Sequence, residues 1–330
     1  MRIAINGFGR IGRVVARVLA NADDLELVAI NDIHDSDALV HLFKYDSVHR
    51  TFQGDVGFSN GKLMFGKQAP LLLNEREIEN LPWKSLDVDL VLECTGKCKN
   101  AVSAGKHLHA GAKRVIISAP PEDDSMKTSV LGVNEYLLTP SDTIFSNASC
   151  TTNSAAPMIQ LLNELCGIES CYITTVHSYT GDQHLQDTPH RDLRRGRAAA
   201  LSIVPTSTGA AKALTRIFPD LADAMGGCGI RVPVPDGSLT DITCIVRNPL
   251  SVEVLNNAFR EAAIIRYPRI VQYTEDPIVS SDIIGNPHSC IIDGLLTSVI
   301  GKMVKIVGWY DNEVGYSNRL VDMARYVKNL

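Results

Sequence analysis

Three glycines near the start, in Gly7-Phe8-Gly9-Arg10-Ile11-Gly12, constrain this chain more than any other stretch. They follow a short apolar run, residues 2–6, with strand character, and open a helical pattern over residues 11–20. In such a strand–turn–helix setting the first glycine allows a tight turn and the second lets the backbone approach a pyrophosphate. The third lets helix and strand pack closely. The helix start then offers unpaired N–H groups and positive potential to phosphates. A second apolar run, residues 25–31, ends at Asp32. An acid in that place accepts hydrogen bonds from a ribose 2′-hydroxyl and repels a 2′-phosphate, so the pattern points to NAD rather than NADP. A glycine turn with no ligand would explain the triplet alone. The matching acid argues against it.

Residues 89–95 and 114–118 read as later strands, and strands alternating with helices predict a doubly wound parallel sheet. The pattern changes after about residue 148. Residues 155–165 predict an amphipathic helix stopped at Gly167, and residues 171–177 a strand. The polar segment 178–197 is too long for an ordinary connection, and loops of that length are usually functional. Residues 241–247, 289–293 and 304–310 predict antiparallel strands, with helices over residues 252–265 and 316–330. The expected class is therefore α/β: a Rossmann-type doubly wound parallel sheet plus an α+β domain with a mostly antiparallel sheet. A chain of 330 residues suits two domains and can bury a large core without disulfides or a structural metal.

Lys plus Arg total 32 and Asp plus Glu 37, a net charge of −5. A general polyanion binder should be basic, so no dedicated nucleic-acid partner is expected. No apolar stretch has the length of a transmembrane helix and the first residues lack a signal-peptide core, so no membrane association is expected either. Eight cysteines are scattered without the spacing of a disulfide framework, which predicts reduced thiols in the cytoplasm. Cys94/Cys98 and Cys166/Cys171 lack histidines at zinc-site spacing, so no metal is expected.

Ser149-Cys150-Thr151-Thr152-Asn153 precedes the predicted helix, where a thiol would feel the positive N-terminal field that favours thiolate. His177, ending the next strand, is a candidate partner. On spacing alone, a buried structural cysteine explains Cys150 equally well. Thr206-Ser207-Thr208-Gly209 opens another helical stretch and suits an anion. Arg194, Arg195, Arg197 and Arg231 offer guanidinium forks for phosphates. Taken singly, an ordinary cap and a solvated charged face are the plainer readings. Together with Ser149 and Thr151 they supply donors for two separate anions.

At these residues the chain resembles phosphorylating glyceraldehyde-3-phosphate dehydrogenases over essentially its whole length. The resemblance is carried by Ile5-Asn-Gly-Phe-Gly-Arg-Ile-Gly12, Ser146-Asn-Ala-Ser-Cys-Thr-Thr-Asn153 and His177-Ser-Tyr-Thr-Gly-Asp-Gln183. Asp192-Leu-Arg-Arg195, Pro205-Thr-Ser-Thr-Gly-Ala-Ala-Lys212 and Tyr310-Asp-Asn-Glu313 extend it. It implies Cys150 as nucleophile and His177 as its acid/base partner, passing through a hemithioacetal and a thioester that inorganic phosphate cleaves. It implies Thr180, Arg231 and Arg195 around the phosphate of glyceraldehyde 3-phosphate, and Ser149, Thr151, Thr208 and Gly209 around the attacking phosphate. Gly7, Gly9, Arg10, Ile11, Gly12, Asp32, Arg76, Ser118, Asn312 and Tyr316 would meet NAD. It further implies a homotetramer with the long loop at a subunit interface. Its domains would be 1–149, completed by helix 315–330, and 150–314. Departures from the family pattern are Ser154 for a second cysteine, Val314 for tryptophan and Lys97-Cys98 for Arg-Phe. Thr188-Pro189 stands for the Leu-Pro of many NAD-specific members. The sister activity, erythrose-4-phosphate dehydrogenase, is disfavoured by the retained hydroxyl of Thr180. A non-catalytic NAD- or RNA-binding protein is disfavoured by the intact Cys150/His177 pair and the acidic charge.

Overall fold

A computed structural model describes residues 1–330, which divide into two compact units. The first comprises Met1–Ser129, Glu135–Ala148 and Ser317–Leu330; the second comprises Val130–Asn134 and Ser149–Tyr316. The division differs from the expected one in three details, the first being that residues 315–316, expected with the closing helix, fall in the second unit. Ser149 belongs with the catalytic sequence, and the short segment Val130–Asn134 joins the second unit.

In the first unit the order is β1 (Arg2–Asn6), α1 (Arg10–Leu19), β2 (Glu26–Asn31), α2 (Ser36–Lys44), β3 (Val56–Ser59), β4 (Lys62–Phe65) and β5 (Leu71–Leu73). Next come β6 (Leu90–Glu93), α3 (Ala101–His109), β7 (Arg114–Ile117), β8 (Lys127–Thr128) and β9 (Ile144–Ser146). They build a nine-stranded sheet in the order β3-β4-β5-β2-β1-β6-β7-β9-β8. From β5 to β8 every pair is parallel, and only β3–β4 and β4–β5 are antiparallel. Ile3, Ala4 and Ile5 at the centre are wholly buried, as befits a parallel strand covered on both faces. The chain leaves β1 for β2 on one side and returns to β6 on the other. Ligands of open α/β sheets bind beyond the strand ends at such a reversal.

The second unit runs α4 (Cys150–Cys166), β10 (Ile168–Ser178), β11 (Val204–Thr206), α5 (Gly209–Ile217), β12 (Met225–Val232) and β13 (Ser238–Val246). It continues with α6 (Val252–Ile265), β14 (Val271–Thr274), β15 (Cys290–Asp293), β16 (Ser298–Ile300) and β17 (Met303–Tyr310). Its sheet follows β11-β12-β10-β13-β17-β15-β14, with β16 paired to β17. All pairs are antiparallel except β10–β12 and β14–β15. Ile173, Ile242 and Ile306 lie side by side across three strands, fully buried, and α4 packs on this sheet through Ala155, Ile159 and Leu162. The final helix, α7 (Val314–Lys328), begins in the second unit. Its later turns bury Leu320, Val321 and Ala324, while Arg114 donates to the Val327 carbonyl (2.7 Å) and Arg325 pairs with Asp24 (3.0 Å).

Candidate active site

Helix α4 begins at Cys150, five residues before the predicted start. Cys-Thr-Thr-Asn has modest helix propensity, but Ser149 caps the turn, its Oγ accepting the Thr152 N–H (3.2 Å). Cys150 is thus the first helical residue, and the first turn holds no acidic side chain to cancel its N-terminal field. Its Sγ lies 3.5 Å from Nε2 of His177, which the second half of β10 presents. The His177 Nδ1 is 2.7 Å from the Ser178 carbonyl and 2.7 Å from a guanidinium nitrogen of Arg231, which itself reaches that carbonyl at 3.0 Å. Arg231 can only donate, so when it bonds Nδ1 the ring hydrogen lies on Nε2; when Nδ1 instead carries the hydrogen and donates to the carbonyl, Nε2 has a lone pair facing the thiol. That tautomer is the one able to take the thiol proton.

Burial pushes the Cys150 thiol up, against the pull of Arg231 and the Thr151 N–H. Burial and then Arg231 press His177 down to about 3. Each of these costs belongs to making one charge by itself. Moving the proton from Sγ to Nε2 makes both charges together in contact, and their attraction offsets the desolvation. Burial pushes the Cys94, Cys98 and Cys290 thiols up to about 12, which disfavours their thiolates. Beneath the pair, Tyr310 Oη bonds both Thr151 Oγ1 and Thr175 Oγ1 (2.8 Å each), and its ring meets that of His177 edge-on, with centroids 6.0 Å apart.

The anion-binding candidates separate into free and committed groups. Arg231 uses one nitrogen on His177 and Ser178, and its other N–H donors have no protein partner. Arg195 has all three nitrogens engaged, on Asp182 (2.6 Å), Thr206 (2.8 Å) and the Ser207 carbonyl (3.2 Å). The Thr180 hydroxyl also donates to Asp182. Burial works to raise Asp182, but Thr180, Arg231 and Arg195 more than offset it and keep the carboxylate charged. Arg231 thus keeps donors open to an anion, whereas Thr180 and Arg195 are engaged by Asp182. Thr208 caps α5, its Oγ1 accepting the Ala210 N–H (3.2 Å), and α5 packs beside α4. The Thr151 hydroxyl shares a hydrogen bond with Tyr310 in which either oxygen can be the donor.

In the first unit the glycine loop fits a dinucleotide. Gly7 has φ +94°, and a Cβ there would lie 2.7 Å from the Thr95 nitrogen. A Cβ on Gly12 would overlap the Gly7 carbonyl oxygen, whereas nothing lies within 4 Å of the Cβ position of Gly9, which caps α1 without a side chain. Gly9, Asp32, Arg76, Asn6, Thr95 and Lys97 line one cleft. Asp32 Oδ2 accepts the Phe8 N–H (2.7 Å), and Oδ1 meets the backbone N–H (3.1 Å) and ring Nδ1 (2.6 Å) of His34. Asp32 thus braces the glycine loop as well as facing the cleft. Arg10 pairs with Asp46, Ile11 lies in the first turn of α1, and Ser118 follows β7 with its N–H on the Glu93 carbonyl (2.9 Å). Asn312 and Tyr316 belong to the second unit.

Glu93, Cys98 and His107 are buried close enough together to suggest a metal site. Trp83 Nε1 donates to His107 Nδ1 (2.9 Å), which leaves the ring hydrogen on Nε2, directed at Glu93 (3.0 Å). Neither ring nitrogen has a lone pair to spare for a metal. The cluster instead latches the ends of β1 and β6, because Glu93 also accepts Asn6 Nδ2 (2.6 Å) and the Thr95 N–H (2.8 Å).

Residues 1–101 match the model of the glyceraldehyde 3-phosphate dehydrogenase NAD binding domain, and residues 149–312 match that family's C-terminal domain. The chain belongs to the glyceraldehyde-3-phosphate dehydrogenase family. It is 49% identical over 329 residues to glyceraldehyde-3-phosphate dehydrogenase 1 of Streptomyces avermitilis, covering 99% of this chain and 98% of that one. The enzyme of Mycobacterium avium is 50% identical over 334 residues, and that of Geobacillus stearothermophilus 47% over 329, with the same coverage. NAD is the family's cofactor, in keeping with the open backbone at Gly9 and the acid at Asp32. As a glyceraldehyde-3-phosphate dehydrogenase, the chain uses groups that residue patterns left unmarked. Asp182, Glu93 and Tyr310 organise their neighbours without touching a ligand. Only Tyr310 left a trace, since a tyrosine at a buried position of an alternating strand needs a hydroxyl partner.

Proposed function

We propose that the chain oxidises glyceraldehyde 3-phosphate to 1,3-bisphosphoglycerate, using NAD and inorganic phosphate, by covalent catalysis at Cys150. The observation that carries this reading is the Cys150–His177 contact at the head of α4, with Arg231 against the histidine. Thiolate Cys150 attacks the aldehyde carbon, and His177 protonates the forming alkoxide of the hemithioacetal. His177 then removes that proton while hydride leaves the same carbon, and Cys150 is left as a thioester. NAD, when bound, supplies the hydride acceptor. The N–H groups at the start of α4, with Ser149, Thr151, Thr208 and Gly209, orient the phosphate that cleaves the thioester and frees the thiolate. Arg231 and Thr180, with Arg195 behind them, hold the substrate's own phosphate.

Mixing enzyme, NAD and glyceraldehyde 3-phosphate without inorganic phosphate should give a burst of about one NADH per Cys150, and added phosphate should restore turnover. Steady turnover without phosphate would overturn the thioester reading. Better turnover of erythrose 4-phosphate would overturn the substrate. Exposed Leu185, Leu193, Leu201 and Ile203 in the connection from β10 to β11 support the tetrameric reading, which the sedimentation mass tests. All eight cysteines are unpaired, which supports a reducing, cytoplasmic setting. No helix is long and apolar enough to cross a membrane.

A further inference from the structure

Glu93, the last residue of β6, is a carboxylate with no exposed surface and no part in the chemistry proposed above. Two donors converge on each of its oxygens. Oε2 takes Asn6 Nδ2 at 2.6 Å and His107 Nε2 at 3.0 Å, and Oε1 takes the Thr95 N–H at 2.8 Å and the Thr95 hydroxyl. Asn6 and Thr95 pass the constraint on. Thr95 Oγ1 accepts the Lys97 N–H at 3.1 Å, and Asn6 Oδ1 accepts Asn31 Nδ2 at 2.8 Å. Asn31 in turn accepts the Glu75 N–H and donates to the Glu75 carbonyl, at 2.9 Å each. Asn6, Asn31, Glu75, Thr95 and Lys97 all line the cleft shared by Gly9 and Asp32. The glycine loop rests on the same point, since a Cβ on Gly7 would lie 2.7 Å from the Thr95 nitrogen.

We propose that Glu93 is a positioning residue of the cofactor site, a buried carboxylate that fixes one wall of the cleft before the dinucleotide arrives. This rests on the reading that NAD occupies the cleft beside the glycine loop. Glu93 does not line that cleft and acts on it only through Asn6 and Thr95. A wall held in advance spares the cofactor the cost of ordering it. Glutamine is the same size but brings an NH2 to a place where only acceptors fit. Turned toward Thr95, that NH2 meets an N–H and an O–H. Turned toward Asn6, it meets another NH2 and the ring hydrogen that Trp83 fixes on His107 Nε2. Either way buried donors face each other, and Asn6 or the segment 94–97 has to shift to relieve them. Binding NAD then has to restore the cleft, so the mismatch appears as lost cofactor affinity.

The test is calorimetric binding of NAD, with steady-state kinetics, on wild type and variants of the full chain. Glu93→Gln should bind NAD about tenfold more weakly, equivalent to about 1.4 kcal/mol. KM for NAD should rise in proportion, while KM for glyceraldehyde 3-phosphate moves far less. A lower Tm with unchanged NAD affinity would overturn the proposal and leave Glu93 a structural latch. If Glu93→Gln does not fold, Thr95→Val and Thr95→Ser carry the test. Valine removes the hydroxyl that links Glu93 to the Lys97 N–H and should weaken NAD about threefold, whereas serine keeps it and should bind as wild type does. Equal affinity of the two would overturn the proposal. Gly9→Val separates the premise from the inference, because nothing lies within 4 Å of a Cβ there and the side chain would stand in the cofactor's path. If it abolishes NAD binding while Glu93→Gln does not weaken it, the positioning role is wrong and the cleft reading stands. If it leaves NAD affinity unchanged, the cleft reading itself is wrong.

Discussion

Replacing His177 by asparagine tests whether Cys150 owes its reactivity to an ion pair or to the helix start alone. The partners are 3.5 Å apart. At an effective dielectric of about 20, unit charges at that distance attract by roughly 5 kcal/mol. Since about 1.4 kcal/mol corresponds to one pKa unit, removing the imidazolium should raise the thiol midpoint by roughly 3 units. The field at the start of α4 survives the substitution but contributes only about 0.3–1 kcal/mol. Arg231 also survives and still draws the thiol down, so asparagine should leave a slow nucleophile rather than a dead one. The assay is the pH dependence of Cys150 alkylation by iodoacetamide, which is uncharged and so does not report on Arg231 directly. Wild type should alkylate fast near neutrality, and His177→Asn only as the pH rises well above it. A shift below one unit would show that the histidine does not set the thiolate population and that its contact with Sγ is only steric.

Arg231→Ala should raise KM for glyceraldehyde 3-phosphate by about 10- to 150-fold, the worth of a charge-assisted bond, while Thr208→Ala should mainly raise KM for inorganic phosphate. Equal effects of both substitutions on both ligands in steady-state kinetics would refute separate anion sites. His34→Ala should widen the NAD-to-NADP ratio of kcat/KM by about 1.5- to 5-fold, because an exposed ring that partly neutralises Asp32 is removed. A narrower ratio would mean that His34 is not offsetting the carboxylate. Burial acts to raise Asp46, but the His49 N–H, Arg10 and the Val48 N–H hold it at about 2. Its stabilisation is thus present above the ordinary carboxylate range and lost as pH falls towards 2. Asp46→Asn should lower Tm at neutral pH and converge with wild type in strong acid; a constant gap in calorimetry would contradict this.

The parallel sheet was legible because its central strands are buried on both faces and write continuous apolar runs, and because glycines and Asp32 punctuate their ends. Strand β1 falls where the apolar run does, as does helix α6 over residues 252–265. The hairpin of β3 and β4 was not legible. Half of β3 is exposed, Gly57 interrupts it, and an edge strand needs little apolar alternation. Strand β12 was missed for a related reason. Met-Gly-Gly-Cys-Gly carries almost no side-chain signal, and glycine is required where a Cβ on Gly227 would come within 2.7 Å of the Ile173 carbonyl oxygen.

At the candidate site, the sequence marks Cys150 and His177, while the groups that hold them, Tyr310 and the Ser178 carbonyl, carry little local signal. Cys150, His177 and Arg231 come from three elements far apart in sequence, and β10 unites two of them by pairing in parallel with β12, so that His177 stands opposite Arg231. No local pattern states that register. It belongs to one of two parallel pairs in a sheet predicted to be mostly antiparallel. The consequence for the chemistry is direct. A one-residue slip between β10 and β12 would turn one of the two side chains to the opposite face. It would separate the His177 ring from the Arg231 guanidinium, 2.7 Å apart in this register. The parallel register thus sets His177 beside Arg231, and Gly227 admits the close approach of β10 that this register needs.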